Sequence, residues 1–156
     1  MTELYSGDES AMAAGGQAEL ATGFLNELRR ASFLLRAQRQ LRVSLFRFHV
    51  TGLPLPTAMH IVEHSLKPHG FVGVLPDGTI GFLYLGPRGN RAVADLALVH
   101  HIRALVQGEL RRQVCFSPVM LAGFNVLHVW ADEIIDPSDL IDRLCGAAHG
   151  ETLKAS

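Results

Sequence analysis

Few features of this chain announce a function. It has two cysteines, Cys115 and Cys145. They form no CxxC pair and no metal-type spacing, so two reduced thiols are expected rather than a disulfide or a zinc knuckle. Excess charge of either sign is missing, because the formal net charge is -1. A nucleic-acid-binding domain usually carries a basic stripe and a high isoelectric point, so no nucleic-acid partner is expected. The local runs of arginine at Arg29–Arg42 and Arg103–Arg112 read as solvated helix faces. No apolar run approaches the ~20 residues that cross a bilayer. The stretch Met1 to Gly16 contains Glu3, Asp8 and Glu9 and lacks a basic region followed by an apolar one, so it does not read as a secretory leader. A cytoplasmic protein without a membrane span is the expectation. There is no internal repeat and no low-complexity segment.

Apolar residues make up 48% of the chain and charged residues 19%, which suits one folded domain with a real core. Residues 1–18 are rich in Gly, Ala, Ser and acids without a sustained period, and read as a flexible tail. From Gly23 the pattern becomes helical: Phe24, Leu25, Leu28, Ala31, Leu34 and Leu35 recur at helix spacing, which predicts a helix over 24–40. Leu41 to Val50 alternates and is rich in β-branched and aromatic residues, as a strand requires. Gly52, Pro54 and Pro56 break it. Thr57 then reads as the N-cap of a helix through Lys67, with Met59, Val62 and Leu66 inward.

Two short apolar runs, 71–75 and 79–85, flank Pro76-Asp77-Gly78. Asp-Gly in that setting predicts a hairpin, since Gly accepts the positive φ of the turn. Asn90 is a candidate cap for a helix over 91–112. Val119 to Trp130 reads as one bent strand or a strand pair, with Gly123 at a bulge or a close approach. Asp136 as cap, Pro137 at the first position and Asp139 near the dipole's positive end mark a final helix. The order is βαββαβ with a helix before and a helix after. It predicts an α+β, ferredoxin-like sandwich, one sheet with helices mainly on one face. The domain is expected over 19–148, with 149–156 as a C-terminal tail.

Three stretches, in order, resemble the GGDEF (diguanylate cyclase) family. Glu19-Leu20-Ala21-Thr22-Gly23-Phe24-Leu25-Asn26 is similar to the family's opening motif, with Glu27 where an Arg is usual. Val72 to Leu83 has the register of the signature hairpin, with Pro76, Asp77, Gly78, Thr79 and Ile80 where Gly-Gly-Asp-Glu-Phe would stand. Leu121-Ala122-Gly123-Phe124 and the helix from Asp136 resemble the family's late strand and closing helix. The resemblance implies a nucleotide-cyclase-like fold.

The departures from that pattern imply a silent site. In active members an Asp at the end of the first strand and the Glu of the signature hold the metal ions that bridge the phosphates. Here those positions are Arg47 and Thr79, a cation and a neutral hydroxyl, whereas Mg²⁺ prefers carboxylate oxygens. The helix that reads guanine in the family is missing between His49 and Thr57. The inhibitory product site, Arg-x-x-Asp, aligns with Lys67-Pro68-His69-Gly70. Lys67 keeps a charge without the planar fork of Arg.

Other chemistry has thin support in the sequence. His60 and His64 share a helix face, with His69, His100, His101 and His128 elsewhere. Only Glu63 stands nearby, so no metal site is expected. Ser117 precedes Pro118 without a nucleophile elbow, and Cys115 lacks an activating neighbour. Gly86-Pro87-Arg88-Gly89-Asn90 reads as a plain strand-to-helix loop rather than an anion nest. Trp130 reads as core or rim. The expectation is a non-catalytic regulatory or scaffolding module of bacterial signalling, without cofactor, that acts through a protein partner or self-association. Phe33 and Arg36 on the first helix are the candidate interface. The alternative is a nucleotide or cyclic dinucleotide receptor, with Arg47 and Lys67 as phosphate contacts. A residual diguanylate cyclase ranks last.

Overall fold

The computed structural model describes residues 9–89, 96–114, 119–131 and 136–146. Among them are four helices and one four-stranded sheet. They follow in the order α1 (Glu9–Ala37), β1 (Leu41–Thr51), α2 (Leu55–Leu66), β2 (Phe71–Val74), β3 (Ile80–Pro87), α3 (Leu96–Gln113), β4 (Met120–Val129) and α4 (Pro137–Gly146). The sheet order is β2-β3-β1-β4, and every neighbouring pair is antiparallel. The fold is therefore α+β, as the alternation of strand and helix patterns predicts. No helix among the described residues is long and apolar enough to cross a membrane.

The hairpin forms where Asp77-Gly78 places it. Gly78 donates its N–H to the Leu75 carbonyl at 2.9 Å, and Leu75 donates to the Thr79 carbonyl at 2.8 Å. Gly78 has φ +84°, which a three-residue hairpin loop ending in a left-handed residue needs. Gly123 has φ +59°, and the pairing of β1 with β4 shifts register between Arg47 and His49. It marks a bulge of the glycine type in one bent strand. α4 starts as expected: the Ser138 N–H donates to Asp136 Oδ1 at 3.2 Å, and Asp139 and Leu140 donate to the Asp136 carbonyl.

Three expectations change. Helices cover both faces of the sheet, not mainly one. α2 and α3 cover Phe46, Phe48 and Phe82, whereas α1 and α4 cover Val43, Leu45 and Leu83. Crossovers between parallel strands of one sheet share a hand, which gathers α2 and α3 on one side. The helices outside the βαββαβ unit are free to cover the other. Second, α1 begins at Glu9 rather than near 24, so residues 9–18 are helical. Alanine at 11, 13, 14 and 18 has the highest helix propensity and outweighs Gly15 and Gly16. Third, α2 starts at Leu55, with Pro54 as its N-cap residue (φ -62°, ψ 149°) and no side-chain cap. Pro56 falls in the first turn, where no N–H is needed, and Thr57 lies inside the helix.

Candidate functional site

Four residues line up across the sheet on the α1/α4 face. Gly73 of β2 pairs with Gly81 of β3, Gly81 with Arg47 of β1, and Arg47 with Asn125 of β4. The two glycines admit Phe24 of α1. A Cβ on Gly73 would stand 3.1 Å from the Phe24 ring, and one on Gly81 would stand 3.1 Å from it and 2.9 Å from Leu75. Phe24 is fully buried, so the glycine pair sets how closely α1 docks.

Arg47, next in that row, is only 7% exposed. A buried guanidinium needs a carboxylate partner, and the hairpin tip supplies one. Arg47 Nε and Nη2 donate to Asp77 Oδ2 at 3.0 and 2.7 Å. The other oxygen, Asp77 Oδ1, accepts from the Thr79 N–H at 3.1 Å and from the Thr79 hydroxyl at 2.5 Å. Burial pushes the Asp77 carboxyl up, but the Thr79 and Arg47 hydrogen bonds outweigh it and hold it below its ordinary value. Gly123, at the β4 bulge, passes beside the same guanidinium; a Cβ there would stand 3.6 Å from Arg47 Nη1. Cys145 of α4 closes the cluster. Burial first, and the Asp77 carboxylate second, raise its thiol to about 11. It stays protonated at neutral pH and is a poor nucleophile.

The structure thus brings together Arg47, Asp77 and Thr79. Pro76 sits on the exposed tip of the turn, and Ile80 points to the opposite face, into the α2/α3 core. Lys67 does not join Arg47. It caps the C-terminus of α2 through its own N–H to the Glu63 carbonyl, and α2 packs on the other face. A groove of about 310 Å³ lies between the hairpin tip, α1 and α4, lined by Thr22, Leu25, Pro76, Ser138, Ile141 and Asp142. Neither Arg47 nor Lys67 lines it, and its one charged side chain is acidic.

Phe33 is 75% exposed and Arg36 is exposed. Both stand on the solvent side of α1, opposite the buried stripe of Phe24, Leu28, Ala31 and Leu35.

A second polar cluster, which the sequence reading missed, joins α2 to α3. Glu109 is buried. It accepts from Gln113 at 2.8 Å, from Arg112, and faces His64 Nδ1 at 3.2 Å. The Gln113 hydrogen bond is the strongest influence on its carboxyl; with Arg112 and His64 it outweighs burial and lowers the pKa. The spacing Glu109–Arg112–Gln113 on one helix is the sequence signal that points to it. His60 is exposed and outside this cluster. His128 is tied to Ser44, Oγ to Nδ1 2.8 Å, and Trp130 donates Nε1–H to the Arg88 carbonyl at 3.0 Å. Among the described residues, no three of His, Cys, Asp or Glu stand where they could share a metal ion. Asn90, Cys115 and Ser117 lie outside the described residues.

Compared with family models, curated proteins and solved structures, the chain matches none of them.

Proposed function

We propose that this chain is a catalytically silent, GGDEF-like module of bacterial signalling that works by protein contact. The antiparallel order β2-β3-β1-β4 in a βαββαβ succession supports a ferredoxin-like, nucleotide-cyclase-like assignment. The observation that carries the functional reading is the Arg47–Asp77 ion pair. In the resemblance, the strand-end residue and the fourth signature residue hold metal. Here a guanidinium stands at the first position and takes the hairpin's carboxylate for itself. Thr79, at the other, donates its hydroxyl to that same carboxylate. The donor set is one cation, one neutral hydroxyl and one engaged carboxylate, which is a poor fit to a hard dication.

Condensation of two GTP molecules needs positive charge spread over the phosphates and an activated 3′-hydroxyl. Arg47 cannot act as a base, because guanidinium stays protonated. The protonated Cys145 thiol is no substitute nucleophile. The nucleotide-receptor alternative has less support: Arg47 is buried and engaged, Lys67 is on the far side, and the groove at the hairpin tip carries an acid. The test is incubation of the purified chain with GTP and Mg²⁺ or Mn²⁺, with chromatographic product analysis. No cyclic di-GMP above a protein-free control is expected. Product that rises in proportion to protein would overturn the reading.

A further inference from the structure

The sheet has two edges, and they end differently. β2 is four residues long, and its Val72 and Val74 are 6% and 0% exposed. β4 is ten residues long, and none of Met120–His128 is buried. Leu121, Phe124 and Val126 pack against the α2/α3 core and still stand half open to water. An edge strand presents a row of N–H and C=O groups, which most proteins blunt by shortness, charge, proline or a bulge. β4 has no Lys, Arg, Asp, Glu or Pro, and the one such device within it is the bulge at Gly123. Beyond that bulge, Asn125–Val129 pairs with β1 without a break. Among the described residues, no main chain pairs with the outer side of β4.

What such a row accepts is another extended main chain, because only a strand offers acceptors and donors at the same repeat. The charge beside the row says more. Arg103 of α3 is exposed, and its guanidinium carbon lies 4.7 Å from the centre of the Phe124 ring. It has no carboxylate partner among the described residues. A second copy paired through β4 would bring it no acid from that strand in any register, because β4 contains none. We propose that the outer edge of β4 takes up an extended segment of a partner protein as an antiparallel fifth strand. Phe124 and Val126 lie two residues apart on the α2/α3 face. An acidic side chain opposite Phe124 meets Arg103, and an apolar one opposite Val126 covers the open core. Along the partner's chain these positions read apolar, any residue, acidic, since the two strands run in opposite directions. Main-chain hydrogen bonds supply the affinity, and the two side chains supply the choice of partner. The proposal rests on the reading that protein contact is the chain's task, and names the kind of partner.

Amide hydrogen exchange of the full chain tests this. The probe is a soluble peptide of alternating Val and Thr in which one Val is replaced by Glu. Without peptide, the outward amides of Phe124–Leu127 should exchange fast at every protein concentration. With it they should slow. The same peptide with Lys in place of Glu should bind roughly tenfold more weakly, because it sets like charges together. Arg103→Glu, an exposed change that leaves the core untouched, should reverse the order and favour the Lys peptide. Amides that stay fast with the Glu peptide, equal binding of the two peptides, or a preference that Arg103→Glu leaves unchanged would each overturn the proposal. So would amides already slow without peptide, because the edge would then be covered by the chain itself or by a second copy. None of these outcomes depends on nucleotide turnover, so a failure here and a failure of the silent-module reading are told apart.

Discussion

The two faces of the sheet are built on different physics. Under α2 and α3 the core is apolar and aromatic: Phe46 meets Phe82 at 5.6 Å and Phe124 at 5.9 Å between ring centroids. Under α1 and α4, two glycines make room for Phe24, and an ion pair fills the space next to them. The first face is held by area and close packing, which is non-directional. The second has an apolar cluster of its own, Leu28, Leu35, Val43 and Leu45 among it, and adds a fit that only particular residues satisfy. The Arg47–Asp77 pair therefore ties the hairpin tip to the central strand.

That contrast is open to attack by substitution. The largest loss is expected on the aromatic face: Phe46→Ala should cost about 3–5 kcal/mol in urea unfolding, from lost transfer and cavity terms. On the other face, Gly81→Ala adds atoms rather than removing them. With Leu75 at 2.9 Å and Phe24 at 3.1 Å from the new Cβ, overpacking should cost about 2 kcal/mol. Phe24→Leu in the same chain should recover part of that loss; if it recovers none, α1 docking is not what the glycines serve.

Acid should act through the polar clusters. The Asp77 and Glu109 carboxyls both have lowered folded values, so their stabilisation is present above the unfolded value and fades as pH falls through the folded one. Stability should decline as pH drops below the ordinary carboxylate range, and Asp77→Asn should flatten the decline. An unchanged slope in that variant would mean the Asp77 pair adds nothing. The smallest effect is at the surface: Glu27→Ala, which breaks an exposed i,i+3 pair, should change stability by about 0.2–0.5 kcal/mol or less.

Most strands and helices were legible because they depend on local chemistry. Asp77-Gly78 fixes a turn, Asp136-Pro137 starts a helix, and Gly123 bends a strand wherever the rest of the chain goes. The second covered face is legible too, in the pattern of β1. In β1, Val43 and Leu45 point one way and Phe46 is joined by Phe48 and Val50 on the other, so the strand is apolar on both sides and asks for two layers. The length of α1 is not legible in periodicity, which starts only at Gly23; its first turns rest on alanine propensity. At the site, Arg47, Asp77 and Thr79 all stand out in the sequence, Asp77 within the signature-like hairpin, but nothing local pairs Asp77 with Arg47. An arginine inside an apolar strand implies a nearby carboxylate, but which acid answers it depends on contacts 30 residues apart. The approach of Cys145, from the last helix, carries no local signal.

The account turns on Arg47 being committed to Asp77. A double-mutant cycle by urea unfolding measures this most directly. Asp77→Ala alone strands a buried guanidinium and should cost about 2–3 kcal/mol, below the fully buried range because Asp77 is partly open to water. Arg47→Met alone should cost less than about 1 kcal/mol, since it leaves an acid that solvent can reach. The two together should be more stable than Asp77→Ala alone, with a coupling of about 1–2 kcal/mol. Costs that simply add would contradict the account, because Arg47 would then stand independent of the hairpin and its side chain would be available to a ligand.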